Sequence, residues 1–283
     1  MPFASRFVPS ETAAAEPPPL AMRVHVALTP AEFPRLPLAG QTALVVDVLR
    51  ATTTVVAACA AGCAGVIPVA TPEEARDAAA RRPELLLAGE RNGEAIEDFD
   101  LGNSPLECTP ARVGGRTLVL TTTNGTAAML KAREAAAVAV AALTNVSAAA
   151  AWAARRGQDV TVLCAGEKGG FSLEDAVCAG LLVERLCRAG QGMEPSDEAR
   201  AAQALGRLYG SRLDRLRADS TWARTLAAKA RAADLDACLV VDAANMVPVL
   251  VDGVITPDGA ILTCAEAGVD TRTGRRARPD ATR

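Results

Sequence analysis

An aspartate and an arginine stand three residues apart in the segment DVLRATTT, residues 47–54, where an apolar run ends. A carboxylate such as Asp47 can bind a hard cation, and the planar guanidinium of Arg50 can bind an oxyanion. The same combination, Glu90 and Arg91, follows the apolar run LLLA. An N-cap or a surface ion pair would explain either pair alone. Because two predicted strand ends carry the same combination, we favour a shared ligand site.

A third polar cluster, TTTNGT, residues 121–126, lies between the apolar run TLVL and an Ala-rich stretch. Backbone N–H groups at a helix N-terminus, together with neutral side-chain donors, suit phosphate or carboxylate oxygens. An Asn-Gly turn followed by a threonine cap is the alternative interpretation. The cluster therefore indicates an anion site only in combination with the acids and arginines.

A fourth cluster, CAGEKGGFSLED, residues 164–175, combines glycines with charged side chains. The glycines allow the backbone to approach a ligand closely, and Glu167 and Lys168 add charge. SLED has the spacing of a capping box with Asp in place of Glu, so helix capping accounts for its serine and for one of Glu174 and Asp175. The GxxxxGK[ST] pattern of a Walker A loop is absent from the sequence.

The sequence lacks the usual nucleophiles of phosphate chemistry. His25 is the single histidine, and its place in the alternating stretch RVHVAL is typical of a structural strand residue. No cysteine is followed six residues later by arginine, and the aspartyl-phosphate pattern DxDx[TV] fails at Asp47 because Leu49 stands in its third position. The remaining groups suit a carboxylate-bound Mg²⁺ that polarises a phosphoryl oxygen while arginines stabilise transition-state charge. Covalent catalysis by Asp47 stays open.

Apolar runs that alternate with Ala-rich stretches predict βα units and a three-layer α/β/α fold with a mostly parallel or mixed sheet. Ligands bind beyond the carboxyl ends of the strands in such sheets, which is where the four clusters stand. The predicted strands are 23–28, 43–48, 65–70, 84–88, 117–121, 136–142 and 160–165. The predicted helices are 53–61, 72–82, 125–134, 146–156 and 172–189. More helices follow Gly192, and residues 247–264 predict a hairpin that turns around Pro257, Asp258 and Gly259.

Composition excludes several classes of protein. The 283 residues carry a net charge of -3 and only 3% aromatic residues, which argues against nucleic-acid binding. The chain contains no apolar run of membrane-spanning length, and its eight cysteines form no CxxC pair, so we expect a reduced, soluble, cytoplasmic protein. We expect residues 1–20 and 268–283 to be disordered tails. Residues 21–267 would form the α/β region, with a subdomain boundary near 192.

The four clusters together resemble the 2-phosphosulfolactate phosphatase family, the ComB-like proteins. The resemblance rests on DVLRATTT, on GERNG followed by FDLGNSP, on TTTNGT and on CAGEKGGFSLED. It runs from about Val45 to Leu182 and continues weakly to the VPV run near Val247. It implies a Mg²⁺-dependent phosphatase that hydrolyses 2-phosphosulfolactate, a compound of coenzyme M biosynthesis, to 3-sulfolactate and phosphate.

The resemblance also implies roles for individual residues. The implied metal ligands are Asp47, Glu90 and Asp175, with Glu174 as the alternative to Asp175. Catalysis would involve Asp47, Arg50 and Glu90. The implied substrate-binding residues are Arg50, Arg91, Thr122, Thr123, Asn124, Gly125, Lys168 and Gly169. Asn92 stands where the family pattern has a second glycine, and asparagine can adopt the left-handed backbone conformation that such a loop requires.

Two other functions remain open. The substrate would be a small polyanionic phosphorylated compound, and another phosphorylated hydroxy acid is an alternative to the sulfonate. A non-catalytic anion-binding module would use the same arginines and glycine-rich loops but would need no metal carboxylates, so Asp47 and Glu90 discriminate between the two classes. A dinucleotide enzyme is disfavoured because no GxGxxG follows an early strand. No membrane or nucleic-acid partner is expected, and homo-oligomerisation stays open.

Overall fold

The computed structural model describes residues 22–189 and 193–257. The two tails predicted to be disordered and the boundary predicted near 192 lie outside these ranges or at their edge. The strands are Arg23–Ala27 (β1), Thr42–Val46 (β2), Gly65–Pro68 (β3), Leu86–Arg91 (β4), Glu94–Ala95 (β5), Thr117–Thr121 (β6), Ala137–Ala141 (β7), Val160–Cys164 (β8), Glu194–Pro195 (β9), Pro248–Val251 (β10) and Val254–Pro257 (β11).

The helices cover both faces of the sheet. They are Ala51–Ala60 (α1), Pro72–Arg81 (α2), Pro110–Val113 (α3), Gly125–Ala132 (α4), Val146–Ala154 (α5), Leu173–Arg188 (α6), Asp197–Tyr209 (α7), Leu213–Asp219 (α8), Thr221–Ala228 (α9) and Ala232–Cys238 (α10). Every predicted strand and helix before the α6 C-terminus is present, with ends within about three residues of those predicted. Within the described ranges, no helix has both the length and the apolarity that crossing a membrane requires.

The described strands form one eleven-stranded sheet in the order β5-β4-β6-β3-β11-β10-β7-β2-β8-β1-β9. Strands β7, β2, β8, β1 and β9 pair in parallel, as do β4, β6 and β3. The antiparallel hairpin β10–β11 joins the two parallel groups, and β5 adds antiparallel to β4. The predicted α/β fold with a mostly parallel or mixed sheet is confirmed.

Helices α1 and α4 connect the two parallel groups. Their buried side chains share one hydrophobic cluster with Val45 of β2, Val66 of β3 and Leu118 of β6. α1 is apolar and buried around most of its circumference, as a helix must be when other elements pack on all its sides. The loops that precede α1 and α4 are thereby brought together, although their strands belong to different groups.

Two sequence predictions need correction. The late hairpin turns at Asp252 and Gly253, both with positive φ, and Pro257 is the last residue of β11. Both Asp252-Gly253 and Asp258-Gly259 are Asp-Gly, the dipeptide preferred in tight hairpin turns. The pairing of Val251 with Val254 places the turn at the first of them. β4 extends to Arg91, because Gly89 pairs with Thr121 and the last two residues pair with β5. Glu90 therefore lies inside a strand, where side chains alternate between faces.

Candidate active site

A small pocket lies where the polar segments after β2, β6 and β8 meet the end of β4. It is lined by Asp47, Leu49, Arg50, Glu90, Asn92, Gly93, Asn103, Thr123, Asn124, Glu167 and Trp222. The structure thus brings together members of all four sequence clusters. It also adds Trp222 from α9, a segment that sequence patterns did not connect with the site.

Asp47 is buried in the pocket lining, next to the first turn of α1. Its Oδ1 accepts a hydrogen bond from Ala51 N at 3.2 Å, while Oδ2 receives none within the described chain. Burial raises the pKa of Asp47 to about 7, and the charges of neighbouring carboxylates raise it as well. Oδ2 is therefore a free carboxylate oxygen in a negatively charged environment.

Gly125, the first residue of α4, comes close to this carboxylate. A Cβ at position 125 would lie 2.5 Å from Asp47 Oδ2 and 2.5 Å from Ala51 Cβ. No side chain can be accommodated there without displacing one of them. The glycine of TTTNGT is thus explained by the close approach of two helix N-termini rather than by backbone flexibility.

Glu90 is buried in the pocket lining and joins two loops there. Its Oε1 accepts from Thr123 N at 2.7 Å, and its Oε2 accepts from Gly93 N at 2.6 Å and from Thr123 Oγ1 at 3.2 Å. Asn92, at φ 53°, makes the turn between these partners, so asparagine does adopt the left-handed conformation here. Three donors leave Glu90 limited capacity for a further ligand.

Glu167 brings a third carboxylate to the pocket from the loop after β8. Asn124 Nδ2 donates to its Oε2 at 3.1 Å, and Lys168 N donates back to Asn124 Oδ1 at 3.2 Å. Burial raises the pKa of Glu167. Lys168 projects its ammonium largely into solvent, 3.9 Å from Glu167 Oε1, and neither Lys168 nor Gly169 lines the pocket.

Arg50 is buried, and its charge is balanced by a residue from the far end of the chain. Its Nη1 donates to Asp234 Oδ2 at 2.5 Å, and its Nη2 donates to Gly93 O at 2.8 Å. Ser104 Oγ donates to the other oxygen of Asp234 at 2.5 Å. Two of the five guanidinium N–H groups are therefore engaged, and Arg50 has a fixed orientation in the pocket wall.

The remaining predicted residues lie outside the pocket lining. Arg91 points to the opposite face of β4, where it donates to Thr121 Oγ1 at 2.8 Å and to Ala70 O. Thr122 exchanges hydrogen bonds with Thr126, in the first turn of α4. Asp175 accepts from Val48 N and Gly166 N, one bond on each oxygen.

The predicted site did not include Asn103, Trp222 and Asp234, nor the lining residues Leu49, Gly93 and Glu167. Asn103 belongs to the quoted FDLGNSP segment, but nothing local distinguishes its role from that of a turn residue. Trp222 donates from Nε1 to Leu49 O at 2.9 Å and covers Gly93, and Asp234 holds Arg50. Both lie in an amphipathic helical region that carries no motif, so only the folded chain reveals them.

A family model for 2-phosphosulpholactate phosphatase matches residues 27–253, which is most of the chain. The chain belongs to this family. The 2-phosphosulfolactate phosphatase family is a family of phosphoric monoester hydrolases, and the chain is an enzyme of that class. The resemblance found in the sequence is confirmed, and the pocket is the candidate active site of a phosphatase.

Individual relatives agree with the family match, and each is named "Probable 2-phosphosulfolactate phosphatase". The protein from Symbiobacterium thermophilum is 41% identical over 218 residues, which cover 76% of this chain and 94% of that protein. The protein from Thermotoga petrophila is 40% identical over 221 residues, covering 78% and 94%. The protein from Deinococcus radiodurans is 39% identical over 243 residues, covering 85% and 98%.

The approach of Gly125 to Asp47 yields a first prediction. Alanine ordinarily favours a helix by about 1 kcal/mol over glycine. Here, however, the new methyl group would displace Asp47 Oδ2. We expect Gly125→Ala to lower kcat/KM for phosphate release about 100-fold, the effect of displacing a reacting group by roughly 1 Å.

The matched control for this variant is Ala127→Gly, at an exposed position of the same helix turn. It should lower the free energy of unfolding by about 1 kcal/mol and leave kcat/KM unchanged. If Gly125→Ala retained full kcat/KM, α4 would have to shift without moving Asp47, and the close contact would have no catalytic meaning.

The raised pKa of Asp47 predicts a pH dependence of stability. The folded protein holds this proton up to about pH 7, whereas the unfolded chain loses it near 3.8. The contribution of Asp47 to the free energy of unfolding is therefore complete below pH 3.8 and is lost as the pH rises through 7. Between pH 4 and pH 8, the free energy of unfolding measured with urea in EDTA should fall about 2–4 kcal/mol more for wild type than for Asp47→Asn. Parallel pH curves for the two proteins would contradict this assignment.

Proposed function

We propose that this protein is a Mg²⁺-dependent phosphatase that hydrolyses 2-phosphosulfolactate to 3-sulfolactate and phosphate. The observation that carries the proposal is the charge of the pocket. Its lining includes Asp47, Glu90 and Glu167 but only one cationic side chain, Arg50, whose charge Asp234 already balances. A polyanionic substrate would be repelled from such a pocket unless a cation neutralised the carboxylates.

Mg²⁺ fits this set of donors. Within the described residues, no group of three or more His, Cys, Asp or Glu side chains is arranged to hold a metal ion. Mg²⁺ is, however, commonly bound by one or two carboxylates, with water and substrate phosphate completing its coordination. Asp47 Oδ2 has no hydrogen-bond donor among the described residues, and Glu90 and Glu167 share the same pocket. We assign Asp47 as the main ligand and one of these glutamates as the second.

Bound Mg²⁺ would supply Lewis-acid stabilisation of the charge that develops on the phosphoryl oxygens. Arg50, fixed by Asp234 and Gly93 O, places its remaining N–H groups toward a bound oxyanion. The N-termini of α1 and α4 meet beside the pocket and favour negative charge there. We assign Asp175 to a supporting role, because its hydrogen bonds to Val48 N and Gly166 N join the loops on either side of the site.

The alternative of an anion-binding module is disfavoured by the positions of the arginines. Such a module needs cationic side chains directed at the ligand. Arg91 lies on the other face of β4, which leaves Arg50 as the single guanidinium among the described residues that line the pocket. What the pocket offers instead is an excess of carboxylates, which suits a metal-dependent hydrolase.

The cysteines support a mechanism without a thiol nucleophile, and they support a reducing compartment. The seven cysteines among the described residues are free thiols. Burial raises the pKa of Cys238 to about 12 and that of Cys164 well above its ordinary value, so these thiols are poor nucleophiles. We accordingly place the enzyme in the cytoplasm.

The test is phosphate release from 2-phosphosulfolactate, 2-phospholactate and an aryl phosphate, each with Mg²⁺ and with EDTA. We expect metal-dependent release that favours the sulfonate and is absent in Asp47→Asn. Equal release from all three compounds would keep the phosphatase activity but remove the named substrate in favour of small phosphate monoesters. Release that persists in EDTA would overturn the role of Mg²⁺. If the folded protein releases no phosphate from any compound with metal present, the anion-binding module becomes the favoured function.

A further inference from the structure

Asn103 presents an unused side-chain amide to the active-site pocket. The residue is 4% exposed and lines the pocket beside Arg50 and Glu90. Its Oδ1 is buried without a partner, and its Nδ2 makes no hydrogen bond within the described chain. A buried oxygen without a donor destabilises a fold, so Oδ1 calls for an explanation, whereas Nδ2 is not fully buried and keeps its N–H groups for a group in the pocket.

Another buried asparagine of the same chain shows what a structural role looks like. Asn145 Oδ1 accepts from Ala142 N at 2.8 Å, and its Nδ2 donates to Val140 O and Met246 O at 3.1 Å each. That amide makes three backbone hydrogen bonds and ties the end of β7 to the segment that precedes β10. Asn103 ties nothing together with its side chain, so a structural role does not explain why an amide stands there.

The surroundings of Asn103 indicate which part of a ligand it would meet. The adjacent residue, Ser104, donates to one oxygen of Asp234, and Arg50 donates to the other. Asn103 and Arg50 thus belong to one wall, held by a common carboxylate. The carboxylates Asp47 and Glu167 are held separately, by the loops that precede α1 and follow β6.

We propose that the Asn103 amide, together with Arg50, binds the second acidic group of the substrate, the carboxylate or sulfonate that does not react. The proposal rests on the proposed function, in which the phosphoryl group lies at the metal carboxylates. An amide N–H and a guanidinium N–H are suitable donors for the oxygens of either acid. Asn103 would then determine specificity for phosphorylated acids over simple phosphate esters.

The experiment compares wild type with Asn103→Leu and Asn103→Asp. Leucine has the same branched arrangement of heavy atoms and cannot form hydrogen bonds, so kcat/KM for 2-phosphosulfolactate should fall about 10- to 100-fold, mostly through KM. The kcat/KM for an aryl phosphate, which lacks a second acid, should change less than about threefold. Aspartate keeps the acceptors, removes the donors and adds charge, so it should reduce the same parameter at least as much as leucine.

Stability provides the second readout. Because the Asn103 amide has no partners, urea unfolding should show Asn103→Leu to be as stable as wild type or more stable. The matched control Asn145→Leu should be clearly less stable, since it leaves three backbone groups without partners. Loss of stability in Asn103→Leu comparable to that of the control would assign Asn103 to the fold and overturn the proposal.

The outcomes separate this proposal from the proposed function. If wild type is active and Asn103→Leu lowers kcat/KM equally for 2-phosphosulfolactate and the aryl phosphate, Asn103 contacts the phosphoryl group and the specificity role is wrong. If kcat/KM for 2-phosphosulfolactate is higher in Asn103→Asp than in Asn103→Leu, the amide acts as an acceptor and oxyanion binding is wrong. If wild type hydrolyses none of the compounds, the catalytic proposal fails. Calorimetric titration with 2-phosphosulfolactate and Mg²⁺ then tests whether Asn103 binds the ligand. At least tenfold weaker binding by Asn103→Leu would support it, and equal or undetectable binding by both proteins would overturn it.

Discussion

Asp47→Asn should lower kcat for phosphate release about 1,000-fold while the protein remains folded. Asparagine retains an oxygen that can accept from Ala51 N, so the connection to α1 survives. What disappears is the negative charge of the carboxylate, including Oδ2, which has no donor among the described residues. Loss of several kcal/mol of transition-state stabilisation through the metal site corresponds to roughly this factor in rate.

The stability of the same variant should not fall. Burial and neighbouring carboxylates raise the pKa of Asp47 to about 7, which means that its ionised form is unfavourable in the metal-free protein. A neutral amide removes this cost, so the midpoint of urea unfolding at pH 8 in EDTA should rise. Mg²⁺ should raise the unfolding midpoint of wild type and leave that of the variant nearly unchanged.

A matched control is Asp77→Asn, an exposed aspartate on α2, which should change neither kcat nor stability. Full activity in Asp47→Asn would remove Asp47 from the mechanism. Unfolding of Asp47→Asn together with loss of activity would mean that the carboxylate supports the loop between β2 and α1 rather than the chemistry.

Asp234→Ala should lower the free energy of unfolding by about 3–5 kcal/mol and also reduce activity. The substitution leaves the buried guanidinium of Arg50 without its counter-charge, which is the costly way to disrupt a buried ion pair. It also removes the acceptor of Ser104. Urea unfolding and steady-state phosphate release measure the two effects in the same preparation.

The same helix supplies the control. Asp236 is also paired with an arginine, Arg217, but its side chain is 69% exposed. Asp236→Ala should therefore lower the free energy of unfolding by less than about 1 kcal/mol and should leave kcat/KM unchanged. A loss in Asp234→Ala no larger than in the control would show that water can replace the carboxylate beside Arg50.

A double variant separates stability from function at this ion pair. Apolar residues of similar volume can replace a buried pair at little cost. Arg50→Met combined with Asp234→Leu should therefore recover most of the stability lost in Asp234→Ala but none of the activity. Recovery of both would mean that Arg50 serves only the fold.

The positions of the strands could be predicted because their physical cause is local. β2, TALVV, is buried along its whole length, and a short continuous apolar run of this kind has few alternatives to a covered strand. The N-terminus of α6 was equally visible, since Ser172 caps it by accepting from Asp175 N. The late hairpin was misplaced because two turn signals compete in one apolar stretch, and pairing with the neighbouring strands decides between them.

The sequence by itself determined the family and the four polar clusters, because each of these depends on residues adjacent in the chain. Only the tertiary structure decided which side chains enter the pocket. Glu90 faces it and Arg91 does not, because neighbouring residues of a strand point to opposite faces. Asp234 and Asn103 join the same wall across more than a hundred residues, because contacts between distant segments depend on how helices pack and leave no periodic trace in the sequence.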